Sequence, residues 1–395
     1  MPATRCCIAG GGPAGMMLGL LLARSGIGVI VLEKHADFLR DFRGDTIHPS
    51  TMEVMRELGL LDDFLKLPHT PTPRLGVQIG DEYVEIVDFS HLPVRCKFIA
   101  MMPQWEFLNF LAEAGLKYPT FHLMMRAEAL GLTDTGAVRV RTPDGETVIE
   151  AELVVGADGR GSTLRDAAGF TPIDSGAPMD VLWMRLSRHP SDAEQSMGKI
   201  EAGKFLIALD RGDYWQCAYV IPKGGIETIK ALGLEAFREA VVSMRPEFAD
   251  RVAELRTWDD VKLLTVKVDH LAEWSRSGLL FIGDAAHAMS PIGGVGVNYA
   301  IQDAVAAANI LIPKLKQGSV TPDDLRAVQK RREAPARRMQ RLQVFLQNTI
   351  ISPVLAGKDP MRVPLPLRFL QWFPILRRFP ARLIGLGFQP EHIRH

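Results

Sequence analysis

The sequence predicts an α/β fold in which a parallel sheet of the Rossmann type is interrupted by a β-rich insertion and followed by helices. Three observations lead to this prediction. A glycine-rich turn joins a strand to a helix near the N-terminus, a second turn carries Asp158-Gly159 after an apolar strand, and a third strand ends at Asp284 before a glycine-rich loop. The stretches between them alternate as short strands, which is the pattern of an inserted sheet.

Composition sets the limits within which the motifs are interpreted. The chain has 395 residues, of which 47% are hydrophobic and 23% charged, enough for a sizeable core and about two domains. The 46 basic and 46 acidic residues balance, so no net field attracts nucleic acid. Four cysteines make no disulfide framework, which favours a reduced, cytoplasmic location. We find no signal peptide and no run of about 20 apolar residues, so we expect no transmembrane helix.

The N-terminal stretch has the pattern of a βαβ unit. Residues 4–9 form a short apolar run, residues 13–25 favour a helix with proline in its first turn, and residues 28–33 are rich in β-branched residues. Such a unit implies a parallel sheet with a right-handed crossover. A capped helix is expected next, over 50–58.

The turn inside this unit carries the dinucleotide fingerprint G-x-G-x-x-G at Gly10, Gly12 and Gly15, and the following strand ends at the acidic Glu33. Gly10 permits the tight turn, Gly12 lets phosphate oxygens approach the backbone, and Gly15 lets the helix lie close to the strand. The helix N-terminus offers N–H groups to a pyrophosphate, and Glu33 can accept hydrogen bonds from ribose hydroxyls. By itself this motif fits FAD and NAD equally.

The composition changes near residue 68, where closely spaced prolines mark a crossing between domains. Beyond it we expect short strands over 74–100, a helix over 104–115, a hairpin over 136–157, further strands over 181–222 and 261–270 with one helix near 233–245, and helices from 298 to about 348. We therefore predict a discontinuous nucleotide-binding domain of residues 1–73, 97–180 and 269–350, a β-rich domain of residues 74–96 and 181–268, and a C-terminal helical segment of residues 351–395.

The second motif is VVGADGRGSTLR, over Val154–Arg165. A strand delivers Asp158-Gly159 into a turn, and Ser162 and Arg165 stand at the start of the next helix. Asp-Gly is a common turn pair, so an ordinary turn capped by Ser162 explains this stretch as well as a cofactor site does.

The third motif is FIGDAAHAMSPIGGVGVN, over Phe281–Asn298. The Asp284 carboxylate can accept hydrogen bonds from the hydroxyls of a ribityl chain, and the glycines let the backbone lie flat against a ring. The N–H groups at the start of the following helix favour the negative charge of a reduced flavin. We expect His287 to be a packing and hydrogen-bonding residue rather than a catalytic one. This loop and the first turn would then be two halves of one FAD site.

Together, GGGPAG with Glu33, the Asp158-Gly159 turn and GDAAHAMSPIGGVGVN resemble the class A flavoprotein monooxygenases, the single-component aromatic hydroxylases typified by para-hydroxybenzoate hydroxylase. The resemblance covers most of residues 3–312. It implies a GR2-type Rossmann-like FAD-binding domain, an inserted β-sheet substrate domain and C-terminal helices. It further implies NADPH or NADH as co-substrate, O2, and hydroxylation of an aromatic or heteroaromatic small molecule through a flavin C4a-hydroperoxide.

The resemblance also implies roles for single residues. Arg43 would lie by the FAD phosphates, Gln104 would reach the ribityl chain or a phosphate, and Pro291 would pack near the reacting edge of the flavin. Two alternatives remain open: Arg43 can be an ordinary surface charge, and Gln104 can be an ordinary residue at a helix N-terminus. The expected cofactor-binding residues are Gly10, Gly12, Pro13, Ala14, Gly15, Glu33, Lys34, Arg43, Gln104, Asp158, Gly159, Asp284, Pro291, Gly294, Gly296, Val297 and Asn298.

Aromatic residues of the insertion are the candidates for a substrate pocket: Trp183, Trp215 and Tyr219. Their alternative role is in the core of the inserted sheet. Strand alternation puts Trp215, Cys217 and Tyr219 on one face, and the pattern leaves open which face meets the flavin. No catalytic base can be assigned, and no metal site is expected.

Several alternatives remain open at this point. A flavin-dependent reductase, halogenase or oxidase would use the same fold, whereas a dehydrogenase without flavin would leave the Asp158 and Asp284 motifs unexplained. The apolar and basic segment Val363–Phe388 is interrupted by prolines, so we expect it to pack across the domains or in a homodimer rather than on an anionic membrane.

Overall fold

The computed structural model describes residues 3–39, 46–192, 197–357 and 362–394. Arg43, expected beside the FAD phosphates, lies outside the described residues. The strands are β1 (Ala3–Ala9), β2 (Val29–Glu33), β3 (Thr46–Ile47), β4 (Thr70–Thr72), β5 (Arg74–Ile79), β6 (Glu82–Asp88), β7 (Ile99–Met101), β8 (Phe121–Met125), β9 (Glu128–Leu132), β10 (Val138–Thr142), β11 (Gly145–Gly156), β12 (Ile173–Asp174), β13 (Met179–Ser187), β14 (Met197–Glu201), β15 (Lys204–Asp210), β16 (Tyr214–Pro222), β17 (Lys262–Leu264), β18 (Asp269–His270), β19 (Ser275–Arg276) and β20 (Leu279–Phe281).

The α-helices are α1 (Pro13–Arg24), α2 (Pro49–Glu57), α3 (Leu61–Phe64), α4 (Gln104–Leu116), α5 (Thr163–Ala167), α6 (Ile226–Leu232), α7 (Leu234–Met244), α8 (Gly296–Gln317), α9 (Pro322–Leu346), α10 (Ser352–Ala356), α11 (Leu365–Trp372) and α12 (Arg378–Gly385). Short 3-10 turns at Gly283–Ala285 and Ile292–Gly294 lead from β20 to α8.

The main sheet has the strand order β19-β20-β11-β1-β2-β8, and β1, β2, β8, β11 and β20 all run in parallel. β9 and β10 extend it as an antiparallel meander on β11. In the register, Ala9 pairs with Gly156, and Gly156 pairs with Phe281. The three turns that follow these residues therefore lie side by side at one edge of the sheet.

Helices α1 and α8 fill the space beside this sheet. The residues of α1 from Ala14 to Ala23 are all buried, because the helix packs against the sheet, α4 and α8. The stretch Ile292–Gln317 is long and apolar enough to cross a membrane by composition alone. Most of it is buried inside the protein, as the central helix of a globular core would be.

A second sheet of seven strands has the order β17-β13-β16-β15-β14-β5-β6. One of its faces packs on α7, where Phe237 and Val241 meet the strands. The opposite face carries Met179 and Val220, which pack with Ile292 of the glycine-rich loop. Only this second face is turned toward the three turns of the main sheet, and we name it the loop-side face.

The C-terminal segment lies across the outer end of the second sheet. Ala381 and Leu386 are buried with Val87 and Phe89 in a small apolar cluster. Arg377 forms an ion pair with Glu85 on β6 at 2.8 Å. The expectation that this segment packs on the rest of the chain is confirmed for its inner side.

The sequence missed some elements. Helix α6 follows a glycine-rich turn and has no buried residue, so no apolar face signals it. The strand expected over 261–270 is two short strands, β17 and β18, which pair with different partners. The helix expected from residue 298 begins at Gly296.

Candidate active site

The first turn is shaped by three glycines with different surroundings. Gly10 has φ of 110°, and a Cβ there would stand 2.3 Å from the Ala157 carbonyl oxygen. A Cβ at Gly15 would stand 2.0 Å from the Gly10 oxygen, so the helix lies directly on the turn. A Cβ at Gly12 would meet no atom within 4 Å among the described residues. Gly12 thus faces the open space that a phosphate needs.

Glu33 lies beside this turn at the end of β2. It is 9% exposed, and its Oε1 accepts a hydrogen bond from the His35 N–H at 3.0 Å. A Cβ at Gly11 would stand 3.0 Å from Oε2 of Glu33. Next to it, Lys34 is exposed. The Glu33 carboxylate is therefore held at the place where an adenosine ribose would follow the phosphates.

The second turn is a capped start of α5. Ser162 Oγ accepts a hydrogen bond from the Arg165 N–H at 3.0 Å, and Asp158 Oδ2 accepts one from Leu164 N–H at 3.2 Å. Burial raises the pKa of Asp158, although hydrogen bonds from Ser162 and the backbone oppose this. Gly159 has φ of 85°, which accounts for glycine at the position.

Two arginines join the second turn to the third. Arg165 is buried, and its guanidinium donates to the Ala285 carbonyl at 3.2 Å and to the Arg160 carbonyl at 2.9 Å. Arg160 reaches Asp284, with 3.5 Å between Nη2 and Oδ2. Both members of this pair are about one-third exposed, so the Asp284 carboxylate borders open space. It can accept further hydrogen bonds from a ligand.

The third turn is fixed from behind by a buried network. Asp303 of α8 accepts hydrogen bonds from the Gly283 N–H at 3.0 Å and from Arg332 Nε at 3.0 Å, and its Oδ2 lies 2.6 Å from His287 Nε2. Burial alone would raise the pKa of Asp303, but His287 and Arg332 outweigh it and hold the pKa below its ordinary value. The His287 ring also packs against Trp274, with 4.9 Å between ring centroids and a tilt of 38°. It has the packing and hydrogen-bonding role that we expected.

The N-terminus of α8 faces the same space. Gly293 and Gly294 have positive φ, and Thr46 Oγ1 donates to the Gly294 carbonyl at 3.0 Å, while a Cβ at Gly296 would meet no atom within 4 Å. The first N–H groups of a helix have no intrahelical partner, which leaves those of Val297 and Asn298 to a ligand. Pro291 stands at the start of the loop and is half-buried.

The side chain of Asn298 serves the fold rather than the open space. It is buried, and its Oδ1 accepts hydrogen bonds from Ser50 Oγ at 2.5 Å and Thr51 Oγ1 at 2.7 Å. These bonds fasten α2 to α8. The backbone N–H is therefore the group of Asn298 that the site can use.

His48, at the start of α2, was not indicated by the sequence. It is completely buried, and its Nδ1 donates to the Ile384 carbonyl at 2.7 Å. Burial lowers the pKa of His48 to about 4, against hydrogen bonds to Ile384 and Gly294 that raise it. The ring is thus neutral at pH 7 and joins α2, the glycine-rich loop and α12.

The tail of the chain closes the network behind the third turn. Arg332 of α9 is fully buried, and it donates to the Gln389 carbonyl at 3.0 Å and to Glu391 Oε1 at 3.3 Å. Gln302 donates to the Leu386 carbonyl at 3.2 Å. The stretch RREAPARR looks like a solvated helix face, so the sequence offered no signal that Arg332 is buried.

Two of the expected pocket residues lie elsewhere. Trp215 and Tyr219 are 1% and 7% exposed and pack with Phe237 on the α7 side of the second sheet. This placement contradicts the expectation that they line a substrate pocket, because the body of the sheet separates them from the three turns. Trp183 pairs with Ala218 on the loop-side face. Gln104 is the half-buried first residue of α4.

The residues at the sheet edge fit a dinucleotide with a flavin ring. Gly12 and Gly296 leave open space at the N-termini of two helices, and Glu33 and Asp284 offer carboxylates at either side of the turns. Helix N-termini favour phosphate and flavin negative charge, and carboxylates favour ribose and ribityl hydroxyls. We find nothing in the described residues that would fill this space.

Comparison with known proteins identifies the family. A family described as FAD binding domain matches residues 3–343. A 6-methylpretetramide 4-monooxygenase of Streptomyces rimosus is 32% identical over 99% of this chain and 94% of its own. A para-nitrophenol 4-monooxygenase of a Pseudomonas strain is 25% identical over 80% of this chain and 79% of its own.

Solved structures agree in fold. The p-nitrophenol 4-monooxygenase of Pseudomonas putida superimposes with a TM-score of 0.77 at 19% identity, over 96% of this chain and 97% of its own. The anhydrotetracycline hydroxylase of Streptomyces rimosus superimposes with a TM-score of 0.75 at 23% identity, over 97% of this chain and 76% of its own. These likenesses establish a shared architecture of FAD domain, inserted sheet and C-terminal helices. The chain belongs to the family of FAD-dependent aromatic monooxygenases of class A, which use FAD and a nicotinamide co-substrate.

Proposed function

We propose that this monooxygenase hydroxylates a fused, phenolic aromatic compound of the kind on which tetracycline-type hydroxylases act. The observation that carries the proposal is the 32% identity to the 6-methylpretetramide 4-monooxygenase over 99% of the chain. A second relative is named for 12-dehydrotetracycline and anhydrotetracycline, at 26% identity over 89% of the chain. A reductase, halogenase or oxidase is not favoured, because these relatives are monooxygenases by name.

The FAD adenosine and pyrophosphate would lie on the first turn. The N-terminus of α1, with Pro13 and Ala14 behind Gly12, would face the pyrophosphate, and Glu33 would accept the ribose hydroxyls. Arg43 and Gln104 stay candidates for the phosphate and ribityl contacts. This arrangement is supported by the open space at Gly12 and by the carboxylate beside Gly11.

The flavin end of FAD would lie at the second and third turns. When bound, FAD would supply the redox and oxygen-transfer chemistry, with NADPH or NADH as the source of reducing equivalents. Asp284 would accept hydrogen bonds from the ribityl hydroxyls, and its contact with Arg160 orients the carboxylate. The N–H groups of Val297 and Asn298 would stabilise negative charge on the pyrimidine ring.

The substrate would lie between the glycine-rich loop and the loop-side face of the second sheet. Met179, Val220 and Ile292 make this region apolar, and Trp183 lies on the same face. Apolar walls exclude water and hold a flat ring against the flavin. We assign no residue as the base that takes the phenolic proton.

The wider organisation is proposed on the same basis. We divide the chain into the FAD domain of residues 1–73, 97–180 and 269–350, the substrate domain of residues 74–96 and 181–268, and the C-terminal segment of residues 351–395. The two sheets of the fold support this division. A cytoplasmic location and a homodimer remain predictions, and one solved neighbour, the 2-methyl-3-hydroxypyridine-5-carboxylic acid oxygenase, has a tetrameric form.

Anaerobic reduction of the bound flavin tests the proposed function. The purified protein is mixed with NADH or NADPH without oxygen, and the flavin absorbance is followed with and without a panel of single-ring phenols and fused aromatic phenols. We expect a fused phenol to accelerate bleaching many-fold, because class A hydroxylases gate flavin reduction by substrate. Acceleration by single-ring phenols alone would contradict the proposed substrate class. Flavin that neither nucleotide reduces would contradict the monooxygenase itself.

Asp284→Ala tests the proposed cofactor contact. Loss of the carboxylate removes acceptors for the ribityl chain and leaves Arg160 without its partner. We expect the affinity of the purified variant for FAD to be lower than that of the wild type by about tenfold or more, which corresponds to a loss of about 1.4 kcal/mol of binding free energy. The variant should therefore lose more FAD than the wild type at equal dilution. Asp323→Ala, which alters a surface carboxylate on α9, should retain FAD normally. Unchanged flavin content in Asp284→Ala would rule out this contact.

A further inference from the structure

The outer side of the C-terminal segment carries a group of exposed apolar side chains. We name it the C-terminal patch, and it consists of Leu365, Phe369, Trp372, Phe373, Ile375 and Phe379, which are between 47% and 69% exposed. The Phe369 ring lies 5.5 Å from Trp372 and 6.4 Å from Phe373, centroid to centroid. Isolated exposed apolar residues are ordinary on a protein surface, but a contiguous aromatic group marks an interaction site.

The patch is held in a fixed outward orientation. The segment consists of short helices, with Pro366 and Pro380 in the first turns of α11 and α12 and Pro374 at the start of the 3-10 turn between them. It therefore follows the second sheet closely instead of standing away from it. Arg368 pairs with Glu82 at 3.5 Å, and Arg377 pairs with Glu85 at 2.8 Å. The inner residues are already packed, and the aromatic side chains that remain outside have no neighbour in the described chain to cover them.

The C-terminal segment itself carries charge of a single sign, and the neighbouring Glu82 and Glu85 are already paired with Arg368 and Arg377. From residue 361 to residue 390 the sequence contains no Asp or Glu. Arg362, Arg378 and Arg382 are exposed, and within the part of the chain that the structure describes none of them has a carboxylate partner. The partner that covers the patch must therefore be both apolar and anionic.

A second copy of the chain fits this requirement poorly. A two-fold interface places the same patch on both sides, so Arg378 and Arg382 would face their own copies without a carboxylate in the segment to pair with. A bilayer that contains anionic lipid fits it well. Aromatic side chains insert at the level of the headgroups, and arginines contact the lipid phosphates.

We propose that the C-terminal patch binds an anionic membrane surface and holds the enzyme there as a peripheral protein. The binding surface is close to the proposed site. Ile384, on the same helix as Arg378 and Arg382, receives the His48 hydrogen bond, and its side chain lies 3.8 Å from the position of a Cβ on Gly293. One helix therefore separates the glycine-rich loop from the lipid, which suits an apolar aromatic substrate that partitions into the bilayer.

Vesicle co-sedimentation of the full-length flavoprotein tests the proposal. The vesicles are pure phosphatidylcholine or phosphatidylcholine with phosphatidylglycerol. We expect binding to the mixed vesicles, weak binding to the pure ones, and release as salt is raised. Trp372→Ser with Phe373→Ser and Phe379→Ser should lower the partition coefficient by more than about tenfold. Arg378→Glu with Arg382→Glu should lower it by about fivefold or more for each arginine.

Matched variants control for general surface effects. Leu116→Ser with Leu232→Ser and Phe345→Ser alters apolar residues that are 61% to 71% exposed elsewhere, and Lys330→Glu with Arg338→Glu reverses two exposed charges on α9. Both should bind vesicles like the wild type. The flavin absorbance of every variant reports correct folding independently of hydroxylation.

Two outcomes would overturn the proposal. One is an absence of sedimentation with both kinds of vesicle. The other is a dimer in analytical ultracentrifugation that the triple serine variant converts to a monomer, because the patch would then be covered by a second copy. Neither outcome affects the proposed hydroxylation, since flavin reduction is measured without lipid.

Discussion

At the scale of single residues, His48 shows how a buried ionisable group ties the site together. Its ring donates to the Ile384 carbonyl of α12 and lies beside the glycine-rich loop. Burial lowers its pKa from 6.5 to about 4, so the folded protein prefers the neutral ring. Protonation of the unfolded chain therefore competes with folding at mildly acidic pH.

We expect His48 to make stability pH-dependent in a defined window. Its folded pKa is lowered, so its contribution is complete above pH 6.5 and is lost as the pH falls to about 4. The full loss is about 3 kcal/mol, from 1.36 kcal/mol per pH unit. At pH 5 about 2 kcal/mol of this is already lost, and urea unfolding of the wild type and of His48→Gln at pH 7.5 and at pH 5 measures that part. His270 titrates in both proteins, so the difference between wild type and variant in how the free energy of unfolding changes with pH isolates His48. An equal change in both proteins would contradict the assignment.

At the scale of secondary-structure elements, the turn into α1 separates two kinds of glycine. Gly15 is required by the contact of the helix with the turn and Gly10 by the contact of the first turn with the second, since a Cβ at Gly15 or Gly10 would clash with the backbone oxygen of Gly10 or Ala157, respectively. Gly12 has no such contact in the described chain. The absence of a side chain at Gly12 matters only when a ligand approaches the backbone there.

Gly12→Ala should therefore separate folding from cofactor binding. We expect the melting temperature of the FAD-free variant to stay within about 2 °C of the wild type, because about 1 kcal/mol shifts the melting temperature of a chain this long by only about 1–2 °C. We expect the variant to bind FAD at least about tenfold more weakly. Gly15→Ala should instead lower the stability of the FAD-free protein. Calorimetry and flavin titration measure the two effects, and full FAD affinity in Gly12→Ala would contradict a phosphate at this position.

Much of the architecture could be predicted because its signals are local. The glycine spacing of the first turn, the β-branched run at β2 and the apolar strand before Asp284 each report on their own neighbourhood. The faces of the second sheet could not be predicted, because alternation gives two faces and only packing on α7 decides between them. For the same reason Trp215 and Tyr219 looked suitable for a pocket and are core residues.

At the scale of the whole molecule, Arg332 links parts of the chain that are far apart in sequence. It contacts Asp303 behind the third turn and Glu391 in the tail, and all three side chains are buried. No local pattern could have indicated this, because the signal lies in the contact and not in the helix. The tail and the third turn therefore both depend on the Arg332 guanidinium.

Arg332→Leu should be strongly destabilising. Its removal leaves the carboxylates of Asp303 and Glu391 buried without this partner, which costs about 3–5 kcal/mol. Arg337→Leu, one turn away and paired with Glu333 at the surface, should cost less than about 1 kcal/mol. Denaturant unfolding of both variants checks this. A loss below about 1 kcal/mol in Arg332→Leu would contradict the role of the network.

The order of strands in the main sheet has a consequence for the synthesis of the protein. β1 leaves the ribosome well before the strands that lie beside it, because β11 ends at residue 156 and β20, on the far side of β11, ends at residue 281. At about 5–20 residues per second, roughly 15 to 60 s pass between the synthesis of β1 and that of β20. During this time the nascent chain contains the first turn but not the third, and the apolar strand β1 lacks some of its neighbours. Cofactor capture must follow translation of most of the chain, and truncated chains should emerge colourless.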